Sequence, residues 1–258
     1  MIKLPPRLVV FDTNIVEGTY LPFLLRGDPI RDLIRLRTEA PCYTPAICVK
    51  TLYEILGHLK SGGKKWSWLD DPELGYPGGL EEGERILSRS STFVGRANAM
   101  YYFNHIEEFS FRCWSDHLQF AKSLVVESGH STLEKDYSAL EEFARWKDSL
   151  TRFLDHVASR IEREFFVLER HYIYGVSPEA ITSAMWLERD LARDSLVPSE
   201  DFEILVSALA VDAKALVTND SKLLTSGLSM SSNYHTALVS HNQLETAIKS
   251  RFEFRIYR

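Results

Sequence analysis

Cysteine is scarce in this chain. Its 258 residues hold three, Cys42, Cys48 and Cys113, with no CxxC pair. An odd number without paired spacing argues against a disulfide framework and against a cysteine-based zinc site, and it makes a reducing cytoplasm the expected location. Long apolar runs are missing too. No uncharged stretch approaches the ~18 residues needed to cross a bilayer, so no membrane partner is expected. The opening Met1-Ile2-Lys3-Leu4-Pro5-Pro6-Arg7 lacks the apolar core of a secretory signal. There is no internal repeat and no low-complexity tract. What is present is ordinary for a folded domain: 45% apolar and 26% charged residues. The length, about 1.7 times the ~150-residue norm, suits one large domain or one domain carrying an insertion.

Positive charge is in deficit, with 30 basic against 36 acidic side chains and a net of −6. That total hides an asymmetry. Residues 67–195 carry 14 basic and 23 acidic side chains, a net of −9, while the two flanks carry 16 and 13, a net of +3. The acidity lies mid-chain and the ends are mildly basic, which is more informative about partners than the sum.

The pattern of apolar residues divides the chain in three. Leu8-Val9-Val10-Phe11 is a β-prone run ending at Asp12. Ile30, Leu33, Ile34 and Leu36 have helical spacing. Cys42-Tyr43-Thr44 reads as a short strand, and Thr44-Pro45 as a helix start, with Thr as cap and Pro at the first position. That helix would carry Ile47, Leu52, Ile55 and Leu56 and stop before Gly62-Gly63. Toward the other end, a helix carrying Ile204, Leu205, Ala208 and Leu209 precedes two buried-strand candidates, Ala215–Thr218 and Ala237–Val239. Strands alternating with helices imply a parallel sheet covered on its faces. The middle differs. Residues 67–83 read as a loop and 84–128 as mainly helical. Over 138–172, Leu140, Phe143, Trp146, Leu150, Phe153, Leu154, Val157, Ile161, Phe165 and Leu168 form the stripe of one long amphipathic helix. Another helix is expected from Ser177 to Arg193, and Phe252–Ile256 alternates like an edge strand. The expected architecture is an α/β core made from residues 1–66 and 195–258, interrupted by a helical insertion at 67–194.

Four carboxylates stand at the ends of the right elements. Asp12 follows an apolar strand directly and Asp220 lies three residues after Val217. In open α/β sheets, ligands bind outside the carboxyl ends of strands. Glu54 lies within the helix after the second strand. Asp201 lies in the first turn of a helix, on the face of Ile204 and Leu205. Each has a bland reading. Asp12 can close an Asx turn, Glu54 can face solvent, Asp201 can favour a helix dipole, and Asp220 or Asn219 can cap Ser221–Leu224.

Together and in this order, these residues resemble the PIN-domain nuclease family. Leu8-Val9-Val10-Phe11-Asp12-Thr13-Asn14 is similar to its opening strand and first motif. Thr44-Pro45 with Leu52-Tyr53-Glu54-Ile55-Leu56 is similar to the second motif, Asp201–Ala208 to the third, and Leu216-Val217-Thr218-Asn219-Asp220 to the fourth. The resemblance covers roughly residues 7–60 and 195–245. It implies a PIN-like α/β/α fold and a Mg²⁺- or Mn²⁺-dependent nuclease, most often acting on RNA, with Asp12, Glu54, Asp201 and Asp220 as catalytic metal ligands. The chain departs from some members at Lys222, where they carry a further Asp, and the insertion has no counterpart in the minimal domain.

The chemistry agrees with this resemblance. Crowded carboxylates repel one another, and a divalent cation relieves the conflict. Oxygen-only ligands suit Mg²⁺ or Mn²⁺ better than zinc, and such an ion can serve phosphodiester hydrolysis. Asn14 can orient Asp12 or a phosphate, and Thr218 can hold a water or a neighbouring carboxylate. The histidines show no HxxxH pair. His241 is the one to watch, because it follows the strand at 237–239.

The segment Gly57–Trp66 carries Lys60, Lys64 and Lys65 and no acid, so it can contact phosphates while Trp66 stacks on a base; a solvated loop is the alternative. Arg7 is a second phosphate candidate. The expected partner is single-stranded or structured RNA, or DNA. The acidic insertion is a candidate for homo-oligomer or protein contacts. Two other readings stand beside the nuclease: a non-catalytic scaffold binding RNA or protein, and a haloacid-dehalogenase-type phosphotransferase, which wants a second carboxylate where this chain has Asn14.

Overall fold

The computed structural model describes residues 4–39, 41–62, 66–89, 131–169, 202–224 and 236–252. The fold is α/β. Five parallel strands form one sheet: β1 (Leu8–Phe11), β2 (Thr44–Cys48), β3 (Phe166–Leu168), β4 (Ala215–Val217) and β5 (Ala237–Val239). Their order is β3-β2-β1-β4-β5. The helices in chain order are α1 (Leu21–Arg26), α2 (Arg31–Thr38), α3 (Val49–Ser61), α4 (Leu80–Leu87), α5 (Ser131–Glu164), α6 (Phe202–Ala210) and α7 (Leu244–Lys249). No helix among the described residues is long and apolar enough to cross a membrane.

Strand β1 is central, and all four of its residues are buried. Strands buried on both faces read as continuous apolar runs, which is why Leu8–Phe11, Ala215–Val217 and Ala237–Val239 announce themselves in the sequence. Alternate residues then go to opposite faces. Leu8 and Val10 join Ala46, Leu168, Leu216 and Leu238 in a cluster closed by Ile204, Leu205 and Ala208 of α6. Phe11, one residue on, meets the rings of Tyr20 and Phe165 edge-on at 5.6 Å each.

Two elements differ from the sequence reading. Thr44-Pro45 does not start a helix; both residues belong to β2, and α3 begins at Val49. A proline without a donor is normally kept out of a central strand. The register shows why it fits. Thr44 N–H donates to Arg7 O at 3.1 Å, toward β1, so the next backbone nitrogen points to the other side. On that side pairing with β3 begins only at Ala46. The donor that Pro45 lacks therefore has no ladder partner to miss. The second difference is at the end of the long helix. It stops at Glu164, and Phe166–Leu168 is a strand of the sheet. The stripe itself holds through Phe143, Trp146, Leu150, Phe153, Val157 and Ile161, all buried. Phe165 and Leu168 are buried as well, so burial spacing alone did not mark where helix gives way to strand.

The chain divides into two compact units, residues 1–57 with 157–258, and residues 58–156. β3 belongs to the first, although it falls within the 67–194 stretch that composition sets apart. In the second unit, Trp146 packs tilted against Phe143 with centroids 5.2 Å apart, and its indole N–H donates to Gly78 O at 3.2 Å. A Cβ at Gly83 would lie 2.6 Å from the Trp146 ring, and one at Gly79 would lie 2.4 Å from the backbone nitrogen of Gly62. Only glycine permits these approaches. Phe252, the first residue of the expected strand at 252–256, lies in a turn; the rest of that strand, the expected helix at 177–193 and the 84–128 helical stretch beyond residue 89 lie outside the described residues.

Candidate active site at the ends of the parallel strands

The chain proceeds from β1 outward through β2 to β3, then returns to pair β4 on the other side of β1. The reversal leaves a switch point between the carboxyl ends of β1 and β4, where open α/β sheets bind ligands. Asp12 stands at one side of it and Asp220 at the other. Backbone bonds tie the strand ends together: Asp12 N–H donates to Val217 O and Thr218 N–H to Val239 O, each at 3.0 Å.

Asp12 is 4% exposed. Its Oδ1 accepts from Thr13 N–H at 2.7 Å. Its Oδ2 accepts from Asn14 Nδ2 and from Thr218 Oγ1, both at 2.6 Å. An ionised carboxylate offers about four acceptor positions. Three are filled, and the one left over is on Oδ1. Burial pushes the Asp12 carboxyl above its ordinary pKa, the bonds from Thr218 and Thr13 pull it down, and the negative charges of Glu54 and Asp220 push it up again. Asp12 therefore senses both of the other acids.

The supporting residues are fully occupied. Thr218 Oγ1 donates to Asp12 and accepts from Asp220 N–H at 2.9 Å and from Asn14 Nδ2 at 3.3 Å. That uses the hydroxyl's one donor and both acceptor positions. Of the two roles the sequence allowed, Thr218 serves the neighbouring carboxylate. Asn14 is used up in the same way. Its amide group donates to Asp12 and Thr218, and its Oδ1 accepts from Asn219 N–H at 3.1 Å. Asn14 orients Asp12 and has no donor to spare for a phosphate.

Glu54 projects from α3, and its Oε2 accepts from Thr13 Oγ1 at 2.5 Å. Lys50, one turn earlier, places its Nζ 3.3 Å from Oε1. Asp220 meets its capping reading. Its Oδ1 caps the turn at 221–224, accepting from Lys222 N–H at 2.7 Å and Leu223 N–H at 2.9 Å. Its Oδ2 has no hydrogen-bond partner among the described residues. An open groove of about 1250 Å³ runs beside Glu54, lined by Lys50, Tyr53 and Phe166 among others.

Other expected site residues are not brought to this place. Arg7 precedes β1, at the opposite end of the strand from Asp12. The four residues of β1 lie between them, five steps of extended chain or roughly 16 Å. Lys60 lies in the last turn of α3, which ends at Ser61, just before Gly62 as expected, and among the described residues it makes no hydrogen bond or ion pair with Asp12, Glu54 or Asp220. Asp201, Lys64 and Lys65 lie outside the described residues.

Two contributors have no site role in the sequence reading, where Asn219 figures only as a helix cap. Thr13, inside the Asp-Thr-Asn motif, links the first strand to Glu54. Asn219, inside the Thr-Asn-Asp motif, links the ends of β4 and β5, its Oδ1 accepting from His241 N–H at 3.1 Å. His241 thus lies beside the site, as its place after a strand suggested. Its imidazole Nε2 is 3.0 Å from Asp32 Oδ2, and Tyr20 OH donates to the same oxygen at 3.0 Å. The bond to His241 holds the Asp32 carboxyl below the usual range despite its partial burial.

No three His, Cys, Asp or Glu side chains among the described residues form a ready-made metal cage. The donor set nonetheless fits a hard divalent cation. It is made of carboxylate oxygens only, Asp12 keeps one open position on Oδ1, and Asp220 keeps a whole oxygen. Compared with known proteins, the chain matches no family model, no curated protein and no solved structure.

Proposed function

We propose that this chain is a divalent-metal-dependent endonuclease that hydrolyses phosphodiester bonds in RNA, built on a PIN-like core. The observation that carries the reading is the joining of Asp12, Glu54 and Asp220 through hydrogen bonds of Thr13 and Thr218 at the switch point of a parallel sheet. The four-motif resemblance supports it and supplies RNA as the substrate class. Asp12, Glu54 and Asp220, with Asp201 as the fourth acid, would hold Mg²⁺ or Mn²⁺. The ion, when bound, would polarise the phosphodiester and make a water nucleophilic near neutral pH.

The chain's own part is positioning. Thr218 and Asn14 occupy Oδ2 of Asp12 and leave Oδ1 as its open face. Thr13 anchors Glu54 to the same strand end. Turn 221–224 fixes Asp220 by one oxygen and leaves the other available. Pure protein incubated with mixed RNA and single-stranded DNA should cut RNA in Mg²⁺ or Mn²⁺ and leave it whole in EDTA. Equal cutting in EDTA would end the metal mechanism. No cutting of any RNA or DNA would return the chain to the scaffold reading.

A further inference from the structure

Resting on that nuclease reading, we propose that Asn219 is a positioning residue, a clamp that fixes the rotamer of Asn14 and through it the carboxylate of Asp12. The path is continuous. Asn219 Oδ1 accepts from the backbone N–H of His241, and Asn219 N–H donates to Asn14 Oδ1. Asn14 Nδ2 then donates to Asp12 Oδ2. The far end of the path is also held, because the His241 ring sits on Asp32, which Tyr20 grips as well, and meets Tyr20 edge-on at 5.6 Å.

A primary amide has two orientations that differ by half a turn, with oxygen and nitrogen exchanged. For Asn14 they are not equivalent. As observed, its nitrogen faces Asp12 Oδ2 and its oxygen faces the Asn219 N–H. Turned over, its oxygen would lie 2.6 Å from a carboxylate oxygen, acceptor against acceptor, and its amino group would face the Asn219 N–H, donor against donor. Asp12 Oδ2 and the Asn219 N–H thus select the useful orientation from its two ends, and the Asn219 N–H is the one that anchors it to the β4 turn. That N–H is in place because the Asn219 side chain ties the turn after β4 to the turn after β5. The same tie braces Asp220, the next residue, whose N–H also bonds Thr218. One neutral side chain that contacts no carboxylate thus positions two of the proposed ligands.

The test uses the full-length protein with Asn219→Ala, Asn219→Asp, Asn14→Ala and the Asn14→Ala/Asn219→Ala double variant. Three quantities are read: kcat and KM on a single-stranded RNA, the affinity for Mn²⁺ by calorimetry, and hydrogen exchange of the Asn14 side-chain amide by NMR. Residues that orient metal ligands typically contribute 10–100-fold, so Asn219→Ala should lower kcat and Mn²⁺ affinity by roughly 10-fold. KM and the thermal midpoint should stay near wild type, and Asn14 amide exchange should speed up. Asn219→Asp keeps an acceptor for His241 N–H and should recover most of kcat. The double variant should be no worse than Asn14→Ala, because residues acting in one chain are not additive. Wild-type kcat with unchanged Asn14 exchange in Asn219→Ala overturns the clamp. So do additive losses in the double variant, or a loss that follows the thermal midpoint and is not recovered by Asp. If the wild type neither binds Mn²⁺ nor cuts RNA, the nuclease reading falls, and Asn14 exchange alone decides whether Asn219 clamps it.

Discussion

The two compact units bury different kinds of side chain. In the sheet unit the described interior includes Asp12, Thr13, Glu17, Thr51, Ser207, Thr218 and Thr236 beside its apolar core. In the second unit the buried side chains among the described residues are Leu59, Ile86, Ala139, Phe143, Trp146, Leu150 and Phe153, with no polar residue among them. Burying a polar group costs free energy unless its hydrogen bonds are made. Around Asp12 they are made, bond by bond, by residues from three strand ends. A network of that kind is a costly way to hold a fold together, and the described residues of the second unit show none. The contrast sets a polar, hydrogen-bonded interior in the sheet unit against an apolar one in the second.

Substitutions at four positions would break or sharpen this contrast, and they should differ in both size and kind. The largest effect is on activity in the sheet unit. Asp12→Asn keeps the side-chain shape and removes a proposed ligand charge, so turnover should fall beyond the ~100-fold ceiling typical of outer-shell residues. Stability should change much less. The folded-state pKa of Asp12 is raised, so its contribution to stability is lost as pH climbs from the ordinary carboxylate value through the folded one, and removing the charge relieves that loss. The new NH2 must in turn face Thr13 N–H or Asn14 Nδ2, which opposes the gain, so at neutral pH without metal Asp12→Asn should melt near the wild-type temperature. A variant that turns over normally would remove Asp12 from the site.

Next in size is a purely structural loss. Phe143→Ala in the second unit should destabilise by about 3–5 kcal/mol, the usual cost of emptying an aromatic from a core. Denaturant titration followed by Trp fluorescence reads it, and a loss below 1 kcal/mol would mean that the Phe143–Trp146 cluster is not a core. Gly79→Ala should cost less, roughly 1–3 kcal/mol, because the added methyl meets backbone that cannot swing aside. An unchanged midpoint would show that the Gly62–Gly79 approach relaxes freely.

The smallest effect separates the two jobs of Asp220. Asp220→Asn retains a good cap acceptor, so stability should hold while activity drops with the lost charge. Asp220→Ala should lose the same activity and about 1 kcal/mol of stability in addition. Equal melting of the two variants would show that the cap contributes nothing.

Much of this arrangement is legible in the sequence, for a physical reason. Strands buried on both faces must be apolar throughout, so β1, β4 and β5 stand out, and the acids that interrupt or follow such runs fall at strand ends by construction. Asp12, Asn14, Thr218 and Asp220 are found that way. β2 is hidden because Pro45 suits a helix start equally well, and only the register with β1 and β3 shows which use is made of it. β3 is hidden because its three residues continue the burial rhythm of the helix before it. Asn219 and Thr13 are illegible as contributors for another reason. Their roles depend on which oxygen of a neighbour is still open, and no spacing rule counts lone pairs. Arg7 shows the converse error, since nearness in sequence to a strand says nothing about which of its two ends a side chain serves.

Pro45 has one more effect, on assembly. Along the β3 side of β2 it is a rung without a donor, placed just before the first pair, Ala46 with Phe166. A three-residue strand has little to fix its alignment, and sliding by one position would turn Leu168 from the interior to the other face. Sliding toward the amino end of β2 would set a β3 carbonyl against a proline ring. The proline thus blocks mispairing in that direction while the chain folds, and it needs no contact of its own in the finished sheet to do so.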